Sequence, residues 1–238
     1  KRVNGTLEVY QKNTSDLLYT YAVGSNYLYP TILANVGDLS NKGIELTLNV
    51  NLLNKNDFNW DMNLTLAKNY QVIERLSNET YSSDSISTGS LHGLTGMSGQ
   101  FSQIIKEGYA VGTFVGPICT GIDTTGKFIF EDDGKAKIIG NVQPKLSFGL
   151  GTNLSYKNFD LEVSAYGMLG QKVLNATAME LSNPKRMPTL NISDRQAASG
   201  ITSPMTYSSY WVEDASFLRI QSVTFGYNLQ AKKIGIEK

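Results

Sequence analysis

Residues 43–68 carry the clearest periodic signal in the chain. Ile44, Leu46, Leu48, Val50 and Leu52 share one face of an extended segment, and Glu45, Thr47, Asn49 and Asn51 share the other. After Asn54-Lys55-Asn56-Asp57, a run with turn chemistry, Phe58, Trp60, Met62, Leu64 and Leu66 alternate with Asn59, Asp61, Asn63, Thr65 and Ala67. Period two on both sides of a short polar turn predicts an antiparallel hairpin. A second hairpin is predicted over 144–170. There Leu146, Phe148, Leu150, Thr152, Leu154 and Tyr156 oppose Ser147, Gly149, Gly151, Asn153 and Ser155; Lys157-Asn158 turns; and Phe159, Leu161, Val163 and Ala165 return against Asp160, Glu162 and Ser164. Residues 3–22 form a weaker strand. Residues 211–229 form a last one, in which Val223, Phe225, Tyr227 and Leu229 alternate with polar partners; its phase shifts near Leu218 and Ile220, as at a bulge.

The connections differ in length. Turns at 54–57 and 157–158 are very short, whereas 77–107 and 171–209 are long and rich in Ser, Thr, Gly and Asn. Outer-membrane barrels have this asymmetry, with short turns on the periplasmic side and long loops outside. With the short turns inside, 3–22, 58–75 and 159–170 run outward and 43–53, 144–157 and 211–229 inward. Phe58, Trp60, Tyr156, Phe159 and Tyr227 then gather near the short-turn ends, where aromatic rings suit the headgroup level. The same alternation also fits a secreted β-sandwich, in which the apolar face would be a core.

Composition narrows the classes. Twenty-two glycines and 13 tyrosines against 6 prolines fit an all-β chain with tight turns. The 21 basic and 21 acidic residues are dispersed, without the basic face of a nucleic-acid binder. No apolar run approaches the length of a membrane helix, and a mean hydropathy of −0.21 is uninformative for a barrel, whose strands offer lipid only every second residue. Cys119 is the single cysteine and has no His nearby in sequence; the single histidine, His92, lies in a Gly/Ser-rich stretch. A packed thiol and an exposed loop imidazole are the expectations, with no zinc site, triad or cofactor. Asp160 and Glu162 lack the shielding that would tune a catalytic pair, so no enzyme is expected. Lys1-Arg2-Val3 has neither an initiator Met nor a signal-peptide pattern, so the numbering is expected to begin inside a longer protein.

Several stretches resemble the C-terminal barrel of SusC/RagA-type TonB-dependent transporters of the Bacteroidetes outer membrane, and in the family's order. Gly5 to Tyr10 followed by Thr14-Ser15-Asp16-Leu17-Leu18 is similar to a strand carrying "T-x-D-L-L", and Asn35 to Leu46 to the signature "NxGxxxNKGxEL". Phe58-Asn59-Trp60 with Lys68-Asn69 resembles the strand that follows. Glu107-Gly108-Tyr109, Gly116, Gly121-Ile122-Asp123 and Thr125-Gly126-Lys127 resemble the loop before "IG-x-x-x-P", present as Ile139 to Pro144. Trp211 to Ile220 and Thr224 to Leu229 are similar to "EDASFLRxxxxxLGYxLP". One departure is Glu131-Asp132-Asp133-Gly134-Lys135 where many members carry "DxNGDGxID"; it offers too few oxygen ligands for a calcium loop.

The resemblance implies an antiparallel transmembrane β-barrel, of which residues 1–238 would be part of a wall of about 22 strands. The plug domain and the terminal strands would lie outside this chain. It also implies TonB-dependent import of oligosaccharides or peptides across the bacterial outer membrane, with a SusD-like surface lipoprotein above, TonB engaged through the plug region, and outer-membrane lipid around the wall. Glu45, Asn49, Asn51, Asp61, Asn63, Asn153, Asp160 and Glu162 would face the lumen. No individual substrate-binding residue is identifiable. A passive porin, a barrel adhesin and a carbohydrate-binding sandwich are the alternatives.

Overall fold

A computed structural model describes residues 2–22, 31–77, 83–186, 189 and 191–229. Six long strands make one antiparallel sheet: β1 (Val3–Ala22), β2 (Thr31–Lys55), β3 (Phe58–Arg75), β10 (Leu146–Tyr156), β11 (Phe159–Leu169) and β14 (Phe217–Tyr227), in spatial order β1-β2-β3-β10-β11-β14. Each strand therefore runs against its neighbour, in the directions expected. Two bounds differ from expectation by more than two residues. β2 begins at Thr31, upstream of the regular alternation, and the last long strand begins at Phe217 because residues 212–214 pair elsewhere.

Register keeps chemistry on one side all the way across. Thr6, Thr47 and Thr65 are cross-strand partners in turn, as are Asn4, Asn49 and Asn63; Leu7, Leu46, Leu66 and Phe148 form a corresponding apolar row. A slip of one residue would exchange the faces of a strand, so this match between neighbours specifies the register. β14 keeps its apolar side in phase through a bulge: Ser164 pairs with Ser222 and Ala165 with Ile220, leaving Gln221 unpaired. The apolar side is open. Leu7 is 63% exposed, Leu218 68% and Phe225 68%, and they belong to a continuous surface far larger than a water-soluble monomer presents. The one hydroxyl in the middle of that face, Thr152, accepts from the Trp60 indole at 2.8 Å and donates to the Asp61 carbonyl at 3.2 Å.

On β3 the apolar alternation holds from Phe58 to Leu66, then passes to Lys68 and Tyr70. That span is about the 9–11 residues with which a strand crosses a bilayer. β2 and β3 continue well past it. At the other end, two-residue turns join the hairpins, with Asn56 (φ 41°) and Lys157 (φ 56°) in the left-handed region that such turns require. Phe58 lies 6.3 Å from Tyr156, and Phe159 lies 4.7 Å from Tyr227, so the aromatics form a lateral row at the short-turn end.

The connections expected as long loops are folded. Between β3 and β10 lie β4 (Ile86–Ser90), β5 (Phe101–Ile105), β6 (Thr113–Gly116), β7 (Cys119–Ile122), β8 (Phe128–Phe130) and β9 (Lys137–Asn141), with β4-β5-β6-β9 in one sheet and β7-β8 a hairpin. Between β11 and β14 lie β12 (Lys172–Leu174), α1 (Ala176–Leu181), α2 (Asp194–Ser199) and β13 (Val212–Asp214), with β12 and β13 paired. The buried apolar core is here rather than in the wall: Trp211, Met179, Phe114, Met97 and Ile201 are all at most 3% exposed. A second cluster, Ile73, Leu76 and Ile105, joins this unit to the end of β3.

Two motif positions acquire a physical reason. Asp16 (φ 58°) sits in the bulge that shifts β1 against β2 between Thr14 and Leu17, a conformation Asp tolerates better than most residues. The Tyr10 ring lies across Gly43, and its hydroxyl donates to Asn69 Oδ1 at 2.7 Å, bridging three strands. A Cβ at 43 would fall 2.4 Å from that ring. Gly43→Val should therefore destabilise the full-length protein by about 1–3 kcal/mol, as overpacking does. Adding Tyr10→Ala should recover part of this in thermal unfolding. Equal costs with and without the tyrosine ring would refute the contact as the cause.

Candidate functional site

The polar side of the sheet forms the first candidate surface. Alternation sends every second side chain of each strand to it, and two glycines on β10 keep it low. A Cβ at Gly151 would lie 2.1 Å from Asn63 Oδ1, and one at Gly149 would lie 2.7 Å from Thr65 Oγ1, so side chains from β3 lie across β10. The result is a shallow cavity of about 570 Å³ in whose lining asparagine is the commonest residue. Of the eight residues expected on this side, Asn49, Asn51, Asp61, Asn63, Asn153 and Glu162 line it together. Glu45 lies further toward the folded loops, in a cavity shared with Thr47, Thr65 and Tyr166. Asp160 stands against Gly226, away from both.

Asn51 Nδ2 donates to Asp61 Oδ1 at 2.8 Å, which fixes both side chains. Asp61 and Glu162 are water-exposed, as a surface that meets passing polar solutes requires and a general acid does not. Arg2, Asn4 and Ser164 also line it and were not among the eight expected, although Ser164 shares the side of Asp160 and Glu162 in the sequence pattern. Asn4 was readable in principle, since it shares the parity of Thr6 and Glu8 on β1.

The folded loops form the second surface, and their order rests on the segment from 210 to 216. Arg195 projects from α2, its Cζ 5.6 Å from the centroids of both the Tyr210 and Trp211 rings, and Nη1 lies 2.5 Å from Glu213 Oε1. That hydrogen bond holds the Glu213 carboxyl below the usual carboxylate range, against a smaller opposing effect of burial. Asn175 Nδ2 donates to the other Glu213 oxygen at 3.1 Å, while Asn175 Oδ1 caps α1 by accepting from Ala178 N. The Tyr207 hydroxyl donates to the Ser102 carbonyl at 2.7 Å; burial pushes this phenol above its ordinary value.

The same segment closes the corner between β11 and β14. Gly170 N donates to Ser216 Oγ at 2.9 Å, Ala215 N donates to the Gln171 carbonyl at 3.0 Å, and Ser216 N donates to Asp214 Oδ1 at 2.9 Å. Glu107 has a similar task on the other side, accepting from Leu76 N at 2.6 Å, while Ile73 N donates to the Tyr109 carbonyl at 3.0 Å.

Acidic residues around 123–133 are used internally. Asp123 Oδ1 accepts from Thr125 N, the Thr125 hydroxyl and Lys127 N, while Glu131 and Asp132 both pair with Lys137. Among the described residues no group of three or more His, Cys, Asp and Glu is placed to hold a metal. Cys119 is half-buried, its thiol donating to the Gly121 carbonyl at 3.3 Å, and burial pushes the thiol up. His92 is exposed in its loop.

The Ser216 hydroxyl and N–H, then Lys172, hold the Asp214 carboxyl at about 2, below its ordinary 3.8. Because the folded value lies below the unfolded one, this contribution is complete above about pH 4 and is lost as pH falls through about 2. Hydrogen exchange of the segment 213–217 should therefore stay slow down to about pH 4 and accelerate below it, beyond the change in intrinsic rate. Asp214→Asn should abolish that acid step. An unchanged step in the variant would assign it to another group.

A family model described as "TonB dependent receptor-like, beta-barrel" matches residues 1–233. The chain is 26% identical to the TonB-dependent receptor P3 of Formosa agariphila, the match covering 98% of this chain and 26% of that protein. It is 27% identical to the TonB-dependent receptor SusC of Bacteroides thetaiotaomicron, over 96% of this chain and 24% of the relative. It thus spans about a quarter of the length of these relatives. Among solved structures, one of the RagAB peptide transporter shares the fold with a TM-score of 0.76 at 18% identity, covering 100% of this chain and 28% of that one.

Proposed function

The chain belongs to the TonB-dependent receptor-like β-barrel family, and on that premise we propose that it forms one arc of a wall through which oligosaccharides or peptides are imported in a TonB-dependent manner. Members of this family are transporters and receptors of the bacterial outer membrane rather than enzymes. The observation that carries the proposal is the uninterrupted separation of faces across six paired strands, with the apolar side open and the polar side lined by amides and hydroxyls. A soluble sandwich would need a second sheet over the apolar face. A transporter wall needs lipid there and water on the other side.

In this reading the folded loops stand outside the membrane and meet incoming solute together with a SusD-like lipoprotein. Energy arrives through a plug and TonB, both outside this chain. The polar floor around Asn63 and Gly151 borders the path that opens when the plug moves. Its amides accept and donate hydrogen bonds without a net charge, which suits sugar hydroxyls and peptide groups alike.

Cells that depend on the full-length protein should grow on a defined oligosaccharide or peptide mixture as sole carbon source only while TonB and the proton-motive force are intact. Uptake that persisted with a protonophore present would overturn the energised mechanism in favour of a passive pore. Orientation has its own test. Spin labels placed singly along residues 44–51 of the full-length protein in bilayers should alternate with period two, the even positions accessible to dissolved oxygen and the odd ones to a water-soluble relaxant; at Leu52 a bulge against β3 ends the alternation. Uniform accessibility would remove the lipid-facing assignment.

A further inference from the structure

We propose that the edge of β3 at Asn69 and Gln71 takes up a short, extended, acidic peptide as an added strand. This deepens the import reading and rests on it for the source of the peptide, a solute that reaches the wall from outside. Register fixes which way the backbone groups of β3 point. Asn51 N donates to the Arg2 carbonyl at 2.8 Å, so odd residues of β2 address β1 and even ones address β3. Their partners are the even residues Met62, Leu64, Leu66 and Lys68, which leaves the odd residues of β3 facing the β10 side. On that side the ladder stops and then resumes. Ala67, opposite Ser147, is the last partner of β10. Ile73 is the next odd residue to be bonded, its N–H donating to the Tyr109 carbonyl at 3.0 Å and its carbonyl accepting from Gly108 N at 2.9 Å. Between them, Asn69 and Gln71 have no backbone partner on this edge among the described residues. The break lies past the membrane-crossing alternation, where water can reach it, so it persists without the penalty an unpaired strand edge meets in hydrocarbon.

The space opposite those groups is open. A cavity of about 520 Å³ is lined by Asn69 and Gln71 on one side and by Tyr109, Asn141, Pro144 and Lys145 around it. The Gln71 side chain has its Oε1 buried without a hydrogen-bond partner among the described residues, a further acceptor at the same place. Backbone chemistry narrows what enters. Asn69 and Gln71 present two N–H and C=O pairs about 6.8 Å apart, the two-residue repeat of a strand. An extended peptide offers complementary pairs at the same interval, and main-chain bonds of this kind supply the affinity in strand addition. Sugar hydroxyls have no such repeat. Charge adds a preference among peptides. No Asp or Glu lines the cavity, although acids and bases balance in the chain as a whole. Lys172 is paired with Asp214 at 3.2 Å, whereas Lys68 and Lys145 are exposed and enter no ion pair among the described residues. An acidic peptide is therefore favoured over a basic one.

The test uses the purified full-length protein in detergent and a fluorescent, end-blocked hexapeptide of alternating valine and glutamate, read by anisotropy. Only every second N–H of an added strand faces its neighbour. N-methylation of the three valines or of the three glutamates should therefore cost at least about tenfold in one phase and less than about threefold in the other. Equal losses in the two phases, or no binding by the unmethylated peptide, would overturn the strand addition. Lysine in place of glutamate in the peptide should weaken binding by at least about tenfold, and Lys68→Gln/Lys145→Gln should remove that difference. Equal affinity of the unaltered protein for the two peptides would overturn the preference for acid. Gln71→Pro, which removes an N–H that faces the break and none that faces β2, should weaken the unmethylated peptide by about tenfold. The methylation series uses the unaltered protein, so misfolding of a variant cannot imitate its result. Phase-dependent binding without energised uptake would keep this site and remove the import reading; energised peptide uptake with no phase dependence would remove this site alone.

Discussion

Backbone hydrogen bonding without water is the constraint from which the rest of this structure follows. In hydrocarbon an unpaired N–H or C=O costs several kcal/mol, so a strand can cross only if both its edges are matched by neighbours. The four inner strands meet that demand on both edges through antiparallel ladders, and β1 and β14 meet it on one, so register becomes the quantity on which everything else depends. Once the ladder is set, side chains have no freedom to choose their solvent: parity assigns each to lipid or to the polar side. Threonine on the lipid face is tolerated at 152 because the Trp60 indole and the Asp61 carbonyl satisfy its hydroxyl within the sheet.

A consequence is that, among the described residues, the wall has no hydrophobic core of its own. Its apolar residues are stabilised by leaving water for lipid, and burial inside protein is confined to the folded loops around Trp211 and Met179 and to the Ile73 cluster. The two parts are joined by backbone bonds at several points. Ile73 N donates to the Tyr109 carbonyl, Lys145 N to the Leu169 carbonyl and Ala215 N to the Gln171 carbonyl. These attachments leave the loop unit little freedom to swing, so its orientation over the wall is set by the same register that sorts the faces.

Strand positions and faces were legible because period two is a local property. Val3–Ala22 and Phe58–Arg75 coincide with the expected spans, and the phase shift near Ile220 is a bulge at Gln221. The folded loops were not legible. Their strands run for three to five residues, too short for a period to declare itself, and their composition of Ser, Thr, Gly and Asn is that of irregular segments. The core they build is assembled from single residues far apart in sequence, such as Leu91, Phe114, Met179 and Trp211. On the polar face, parity alone brought six of the eight expected residues to one cavity, while Arg2 entered it through a backbone contact with Asn51 that no pattern in the chain encodes.

The family signatures read differently once their contacts are known. Gly43 in the "NKG" stretch makes room for Tyr10, Asp16 turns a bulge, Glu107 holds the Leu76 amide, Glu213 holds Arg195 and Asn175 in the folded loops, and Asp214 and Ser216 close the corner between β11 and β14. All of these are structural tasks at the wall or its rim, and none of these residues lines the amide floor around Gly151. The recognisable motifs therefore mark how the wall is built and how the loops are fastened to it. In the importer proposed above, solute selection falls to positions that the ladder leaves unconstrained, the side chains of the polar face and the exposed surface of the loops. There, exchange of one amide or hydroxyl for another changes recognition without disturbing a single backbone pair.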